Sequence, residues 1–324
     1  MRSGASRRTF PDHPRLIFMG TPDFAIPTLG ALIRHGEDVV TVVTQPDRPK
    51  GRGKKMTASP VKLLALENGI EVVQPEKVSD PHFCDLIAKR GPDLIVVVAF
   101  GQILKKRLLD LPDWGIVNIH ASLLPKYRGA APIQTAILND EDKTGLTVMR
   151  MDEGLDTGPI LMQEEHPILK DETAGHLHDR LAMAAGDLII KWLHQMSNHR
   201  IKERPQDHAA ASYAPKIEKK ITLIDWEQSA AKISALIRAL DPSPGAYTVW
   251  RDKKVKLFSS GIEANSRPDV VPGRVVGQRE RGLIVETGQG AVKILELQYP
   301  GKKRLPAQEY LRGFPIPDGT ILGR

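Results

Sequence analysis

Asn118-Ile-His120 closes a short apolar run. In a β-strand, residues two apart project to one face, so the run would set a side-chain amide beside an imidazole. An amide donor next to an imidazole can stabilise an oxyanion and move a proton. By itself, a histidine at a strand end more often reads as a structural residue. A second polar segment, Met151-Asp-Glu-Gly-Leu-Asp-Thr-Gly158, packs two glycines and three acids into eight residues. Such a loop could bring Asp156 to His120, orienting the ring and stabilising its charged form. From spacing alone it equally reads as a surface turn with solvated carboxylates. The third segment runs from Gln45 to Lys55 and carries Arg48, Lys50, Arg52, Lys54 and Lys55, five positive charges in eight residues broken by Pro and Gly. A mobile basic loop suits phosphate contacts, and a solvated lysine-rich loop fits the same composition.

Two other patterns fail. Neither G-x-G-x-x-G nor the P-loop pattern occurs near these glycines, so a nucleotide-cofactor cradle is weakly supported. His176 and His178 stand two apart on an expected helix and face different ways, which argues against a shared metal. No metal site is expected.

These residues need elements to position them. Leu16–Met19, Val39–Thr44 and Leu94–Ala99 are continuous apolar runs of the kind buried on both faces of a sheet, and Ile116–His120 and Leu146–Met151 are further strand candidates. Helical patterns alternate with them, near Ala25–Arg34, Pro60–Asn68, Pro81–Lys89, Pro132–Leu138 and Thr173–Gln195. That alternation predicts a Rossmann-like, doubly wound, mainly parallel α/β sheet. Ligands of such sheets bind beyond the carboxyl ends of the strands, where Asn118, His120, Phe100 and Gly101 fall. After about residue 205 the texture changes. A helix around Ser229–Leu240, stopped by Asp241-Pro-Ser-Pro-Gly, precedes five short strands, with a hairpin turn at Thr287–Gly290. This predicts a small C-terminal β-barrel or sandwich.

The 324 residues carry 46 Lys+Arg against 39 Asp+Glu, and the net charge of +7 is unevenly placed. Residues 207–324 hold 19 basic and 13 acidic side chains, a net of +6, which points to a polyanionic partner for that part or to a solvated basic surface. No apolar run is long enough to span a bilayer, so no membrane role is expected. The single cysteine, Cys84, excludes an internal disulfide and fits a reducing, cytoplasmic setting. Residues 1–14 are expected to form a disordered tail, 15–206 a catalytic domain, 207–220 a linker and 221–324 the β-domain.

The segments GTPDFA (Gly20–Ala25), TQPDRPKGRGKK (Thr44–Lys55), NIHASLLPKYRGAAPIQ (Asn118–Gln134) and MDEGLDTG (Met151–Gly158), with Asp225-Trp226 and the turn at Asp241–Pro244, resemble the methionyl-tRNA formyltransferases over nearly the whole chain. The Asn-x-His and later Asp are shared by all formyltransferases that use 10-formyltetrahydrofolate. The basic loop and C-terminal β-domain select the tRNA-directed members. The resemblance implies a C-terminal barrel of the OB type and catalytic roles for Asn118, His120 and Asp156. It implies folate contacts from Ser122, Leu123, Leu124 and Pro125, with a neighbouring wall from Phe100, Gly101, Ile103 and Leu104. It further implies that the Arg48–Lys55 loop engages the acceptor end of initiator methionyl-tRNA, that 10-formyltetrahydrofolate is the formyl donor and tetrahydrofolate the product, and that a monomer suffices. Two departures stand out: Ser243 replaces an expected tryptophan, and the N-terminal tail is long. A formyltransferase acting on a small amine and a non-catalytic RNA-binding protein are the alternatives. Only the first of these would need the Asn118, His120 and Asp156 trio, and neither would need both that trio and the basic regions.

Overall fold

The computed structural model describes residues 10–50, 55–198, 202–263, 271–279 and 282–323. They form two compact units. The first is built from the chain up to Gly129 together with Gly145–His166 and Asp179–Tyr213. The second takes in Ala130–Thr144, Pro167–His178 and the chain from Ala214 onward.

The first unit is organised by a seven-stranded sheet. Its strands are β1 (Arg15–Gly20), β2 (Asp38–Val43), β3 (Glu71–Val73), β4 (Leu94–Val98), β5 (Ile116–His120), β6 (Lys143–Arg150) and β7 (Ile160–Pro167). Their order across the sheet is β7-β6-β5-β4-β1-β2-β3. The ladders β3·β2, β2·β1, β1·β4 and β4·β5 are parallel, and β5·β6 is antiparallel. The sheet is therefore mainly parallel, as expected. All five residues of β4 (LIVVV) are buried, since helices cover both faces of such a sheet and leave no polar side to alternate with. The helices begin at caps written in the sequence. Ser59 Oγ accepts the Lys62 N–H at 3.1 Å to start the helix Pro60–Glu67, and Asp80 accepts the His82 N–H at 2.8 Å to start the helix Pro81–Arg90. Among the described residues, no helix is long and apolar enough to cross a membrane.

The strands missed by periodicity are the edge strands. β3 is three residues long, and the outer half of β7 carries Gln163, Glu164, Glu165 and His166. Short, charged edges suppress pairing with other chains, and for the same reason they lack the apolar signature of a core strand. The stretch expected as a basic loop carries a two-stranded ladder, Arg48–Lys50 with Lys55–Thr57.

In the second unit an antiparallel sheet is assembled from Ala246–Trp250, Lys253–Glu263, Ala291–Gln298, Gly282–Glu286 and Val275–Arg279, in that spatial order. Arg304–Pro306 pairs onto the Ala291–Gln298 strand. The helix Ala230–Ala239 lays Ile233 and Ile237 into a core with Val255, Leu257, Val285, Ile294 and Leu297. The Thr287–Gly290 turn is present, its Thr287 N–H donating to the Gly290 carbonyl at 3.0 Å. Where the helix stops, the carboxylate of Asp241 is 3% exposed. It accepts from Arg304 Nη1 at 2.6 Å and Nη2 at 3.1 Å and from the Ser259 N–H at 3.0 Å.

Candidate active site

Strand β5 ends at His120 at the carboxyl edge of the parallel ladders, with Asn118 beside Val97 of β4 and Met149 of β6. Turns leave the same edge from its parallel neighbours. Gln45, two residues beyond β2, takes the Thr21 hydroxyl oxygen as acceptor for its N–H at 3.1 Å and donates from Nε2 to the Phe100 carbonyl at 3.1 Å. The ends of β1, β2 and β4 are thereby tied together around a crevice that a doubly wound sheet reserves for ligands.

The His120 ring is 6% exposed and held on both sides. Its Nε2 lies 2.9 Å from the Tyr127 carbonyl oxygen, and its Nδ1 lies 3.7 Å from Asp156 Oδ2. A carbonyl can only accept, so Nε2 carries the proton and Nδ1 of the neutral ring carries the lone pair. The Asn118 amide makes no hydrogen bond to any described residue, so both of its donors are available to a ligand.

Asp156 reaches the histidine from the loop after β6. Its Oδ2 accepts the Gly129 N–H at 2.8 Å, and its backbone is left-handed, with φ of 53°. Gly158 allows that loop to fold back, because a Cβ there would stand 1.9 Å from the Arg150 carbonyl oxygen. From the other side, Gln206 Nε2 donates to the carbonyls of Asp156 at 2.8 Å and Gly158 at 2.7 Å. Gln206 Oε1 accepts from Arg128 Nη2 at 2.7 Å and Nε at 3.2 Å, and Arg128 Nη2 also meets His208 Nδ1 at 3.2 Å. Ser212 completes the grip, its carbonyl accepting the Arg128 N–H at 2.8 Å and its hydroxyl oxygen the Tyr127 N–H at 2.9 Å. Gln206, the last residue of the expected catalytic domain, and His208 and Ser212 in the expected linker carry no signal in the sequence. Arg128 lies inside the Asn118–Gln134 segment, but its type and spacing there point to no role.

The other expected site residues fall into two groups. Ser122 is buried and its hydroxyl donates to the Lys126 carbonyl at 2.6 Å, while its own carbonyl accepts from Thr147 Oγ1 at 2.7 Å. Leu124 donates its N–H to Thr147 Oγ1 at 3.1 Å, and its carbonyl accepts from Gln163 Nε2 at 2.8 Å. Leu124 is buried, and Leu123 and Pro125 are half-buried along the same turn. Phe100 and Leu104 belong to the core beneath β4, whereas Gly101 is exposed and Ile103 is 70% exposed. In the basic segment, Arg48 and Lys55 are exposed on the short ladder. Its base is fastened by Asp47, which accepts from Lys62 Nζ at 2.7 Å and Gln74 Nε2 at 2.9 Å. Those bonds, the lysine's first, hold the Asp47 carboxyl below its ordinary range. Arg52, Lys54 and the Lys50 side chain lie outside the described residues. Among the described residues, no group of three or more His, Cys, Asp or Glu side chains is placed to hold a metal ion.

Comparison with known proteins bears on the same segments. The formyl transferase family matches residues 15–193, and the formyl transferase C-terminal domain family matches 216–315. A methionyl-tRNA formyltransferase of Geobacter metallireducens is 48% identical over 308 residues, spanning 95% of this chain and 98% of the relative. That of Syntrophus aciditrophicus is 46% identical over the same shares. Among solved structures, HypX from Aquifex aeolicus in complex with tetrahydrofolic acid superposes with a TM-score of 0.64 at 19% identity, covering 94% of this chain and 48% of that one. WlaRD, a sugar 3N-formyl transferase solved with dTDP and 5-N-formyl-THF, gives 0.66 at 22% identity, covering 90% of this chain and 100% of the other. At such identities the structures establish the shared fold, while the sequence relatives establish descent: the chain belongs to the methionyl-tRNA formyltransferase family.

Proposed function

We propose that this protein transfers the formyl group of 10-formyltetrahydrofolate to the α-amino group of methionyl initiator tRNA, with Asn118, His120 and Asp156 as the catalytic residues. The observation that carries this reading is the buried His120 ring, fixed between the Tyr127 carbonyl and the Asp156 carboxylate and two residues along the strand from an unengaged Asn118 amide. The amine attacks the formyl carbon, a C–N bond forms, the bond to N10 breaks and one proton passes from the amine to N10. The α-amino group of an aminoacyl ester is weakly basic, so it is available neutral near pH 7. Charge builds on the formyl oxygen, and the Asn118 N–H groups are the donors positioned to hold it. Nε2 is committed to Tyr127, so proton traffic runs through Nδ1, and a proton taken up there faces Asp156 Oδ2 at 3.7 Å. The reaction needs no covalent intermediate on the enzyme.

The turn Ser122–Pro125 and the wall Phe100–Leu104 serve the folate in this reading. They leave neighbouring strands at the same sheet edge, and Ile103 supplies open apolar surface. Arg48, Lys50, Arg52, Lys54 and Lys55 grip the acceptor end of the tRNA through its phosphates, and the +6 carried by residues 207–324 contributes to the rest. Transfer of labelled formyl from 10-formyltetrahydrofolate to charged initiator tRNA, by wild type and His120→Ala, tests the reading. Wild-type transfer and its collapse in the variant support it. Turnover with a small amine but not with tRNA would overturn the acceptor, and an active His120→Ala would overturn the site.

A further inference from the structure

We propose that Gln206 is a positioning residue for formyl transfer, its side-chain amide setting the Asp156 loop against the His120 ring. The inference rests on the catalytic reading above and assigns work to a residue from outside all of its motifs.

The orientation of the Gln206 amide is fixed by its partner. A guanidinium only donates, so the atom facing Arg128 Nε and Nη2 is Oε1, and Nε2 with its two hydrogens points the other way. Both hydrogens are used, one on the Asp156 carbonyl and one on that of Gly158, so the amide spans the residue whose carboxylate meets His120. That residue is the one in a left-handed backbone, a conformation that costs a non-glycine residue free energy and persists where surroundings enforce it.

The tripeptide Tyr127–Gly129 makes the arrangement a closed circuit. The Tyr127 carbonyl accepts from the His120 ring, the Arg128 side chain turns the Gln206 amide, and the Gly129 N–H holds the Asp156 carboxylate. Ring and carboxylate are thus both referenced to three consecutive residues. The Gly129 N–H holds the carboxylate tip, and Gln206 is the link that fixes the loop backbone behind it. Arg128 is buried, and its side-chain partners among the described residues are an amide oxygen and an imidazole nitrogen, with no carboxylate. A buried cation held this way stabilises poorly, so its value lies in the geometry it imposes.

The test compares Gln206→Leu, Gln206→Glu, Asp156→Asn and the double variant Asp156→Asn/Gln206→Leu. Each is assayed for formyl transfer with kcat and KM resolved for both substrates and with the folded fraction measured by thermal unfolding. Gln206→Glu keeps an acceptor for Arg128 but turns an oxygen toward the two loop carbonyls, so it separates the arginine's comfort from the loop's support. Both single Gln206 variants are expected to lose kcat by about 10- to 100-fold, the effect of misplacing a reacting group by a fraction of an ångström to an ångström, with either KM changed by less than about threefold. In the Asp156→Asn background, Gln206→Leu should cost nothing further, because it acts through the group already removed. A Gln206→Leu or Gln206→Glu enzyme at wild-type kcat per folded molecule overturns the inference, as does an undiminished loss in the double variant. If Asp156→Asn alone retains the wild-type rate, the catalytic reading itself fails, which is a separate outcome.

Discussion

Asp156 and Asp241 both follow the end of an apolar element, one in each unit, and both carboxylates are withdrawn from solvent. Asp241 is saturated: an arginine fork, a backbone N–H and the Ser259 hydroxyl occupy its two oxygens. Asp156 takes one backbone N–H on Oδ2, and that same oxygen faces a histidine nitrogen at a distance too long for a made hydrogen bond. A carboxylate neutralised by a guanidinium can hold elements together but has nothing left to offer a proton. One held by its backbone, with its charge turned toward an imidazole, keeps that capacity. On the proposed catalytic reading, the two tasks are separated by the partner each aspartate is given rather than by burial.

The sharpest way to break this contrast is to exchange the consequences. His120→Ala should reduce formyl transfer by about 10²- to 10⁴-fold, the range of a positioned acid–base group, while leaving the thermal midpoint near wild type. Asn118→Ala should lower kcat by about 10²- to 10³-fold with little change in KM, as measured by steady-state transfer; a raised KM at constant kcat would make it a binding group. Asp241→Ala should do the reverse. It leaves Arg304 with Glu296 and the Ser259 hydroxyl, and it leaves the Ser259 N–H unpaired, costing about 2–4 kcal/mol in chemical denaturation, while activity per folded molecule stays intact. Gly158→Ala lies between the two. Its Cβ meets the Arg150 carbonyl, so the loop must shift, with about 1–3 kcal/mol lost and a reduced kcat in the same protein. The smallest effect belongs to Asp47. Its carboxyl is held below the ordinary range, so the support it gives the basic ladder is complete above that range and fades as pH falls through the depressed value. Asp47→Asn should remove this acid-side dependence, read as hydrogen-exchange protection of residues 48–50 and 55–57 against pH.

The buried strands were legible because a parallel sheet covered on both faces demands runs such as LIVVV, and β5 and the helix Pro132–Leu138 are found at the expected bounds. The motif around Asn118 and His120 was legible for a different reason, since two residues of suitable type at a spacing of two must share a face of any strand. The backbone groups that hold His120 and Asp156 were not. Tyr127 contributes a carbonyl, which every residue has, and Gly129 an N–H, so neither side chain advertises the role. Gln206 lies 50 residues from Asp156 in sequence, and no local pattern links an amide to a distant backbone carbonyl. Edge strands were missed because their job is to look unlike core strands.

The helix Pro132–Leu138 packs on Ala230–Ala239 within the second unit, burying Ile133, Ala136 and Ile137. During synthesis the second helix leaves the ribosome roughly 90 residues later, a wait of roughly 5–20 s at ordinary elongation rates. Through that interval the nascent chain carries a sticky apolar face with no home. A transcript cut short after the sequence for the first sheet would therefore yield a product prone to aggregate, and a chaperone that binds short apolar helices would find its substrate in the unfinished polypeptide.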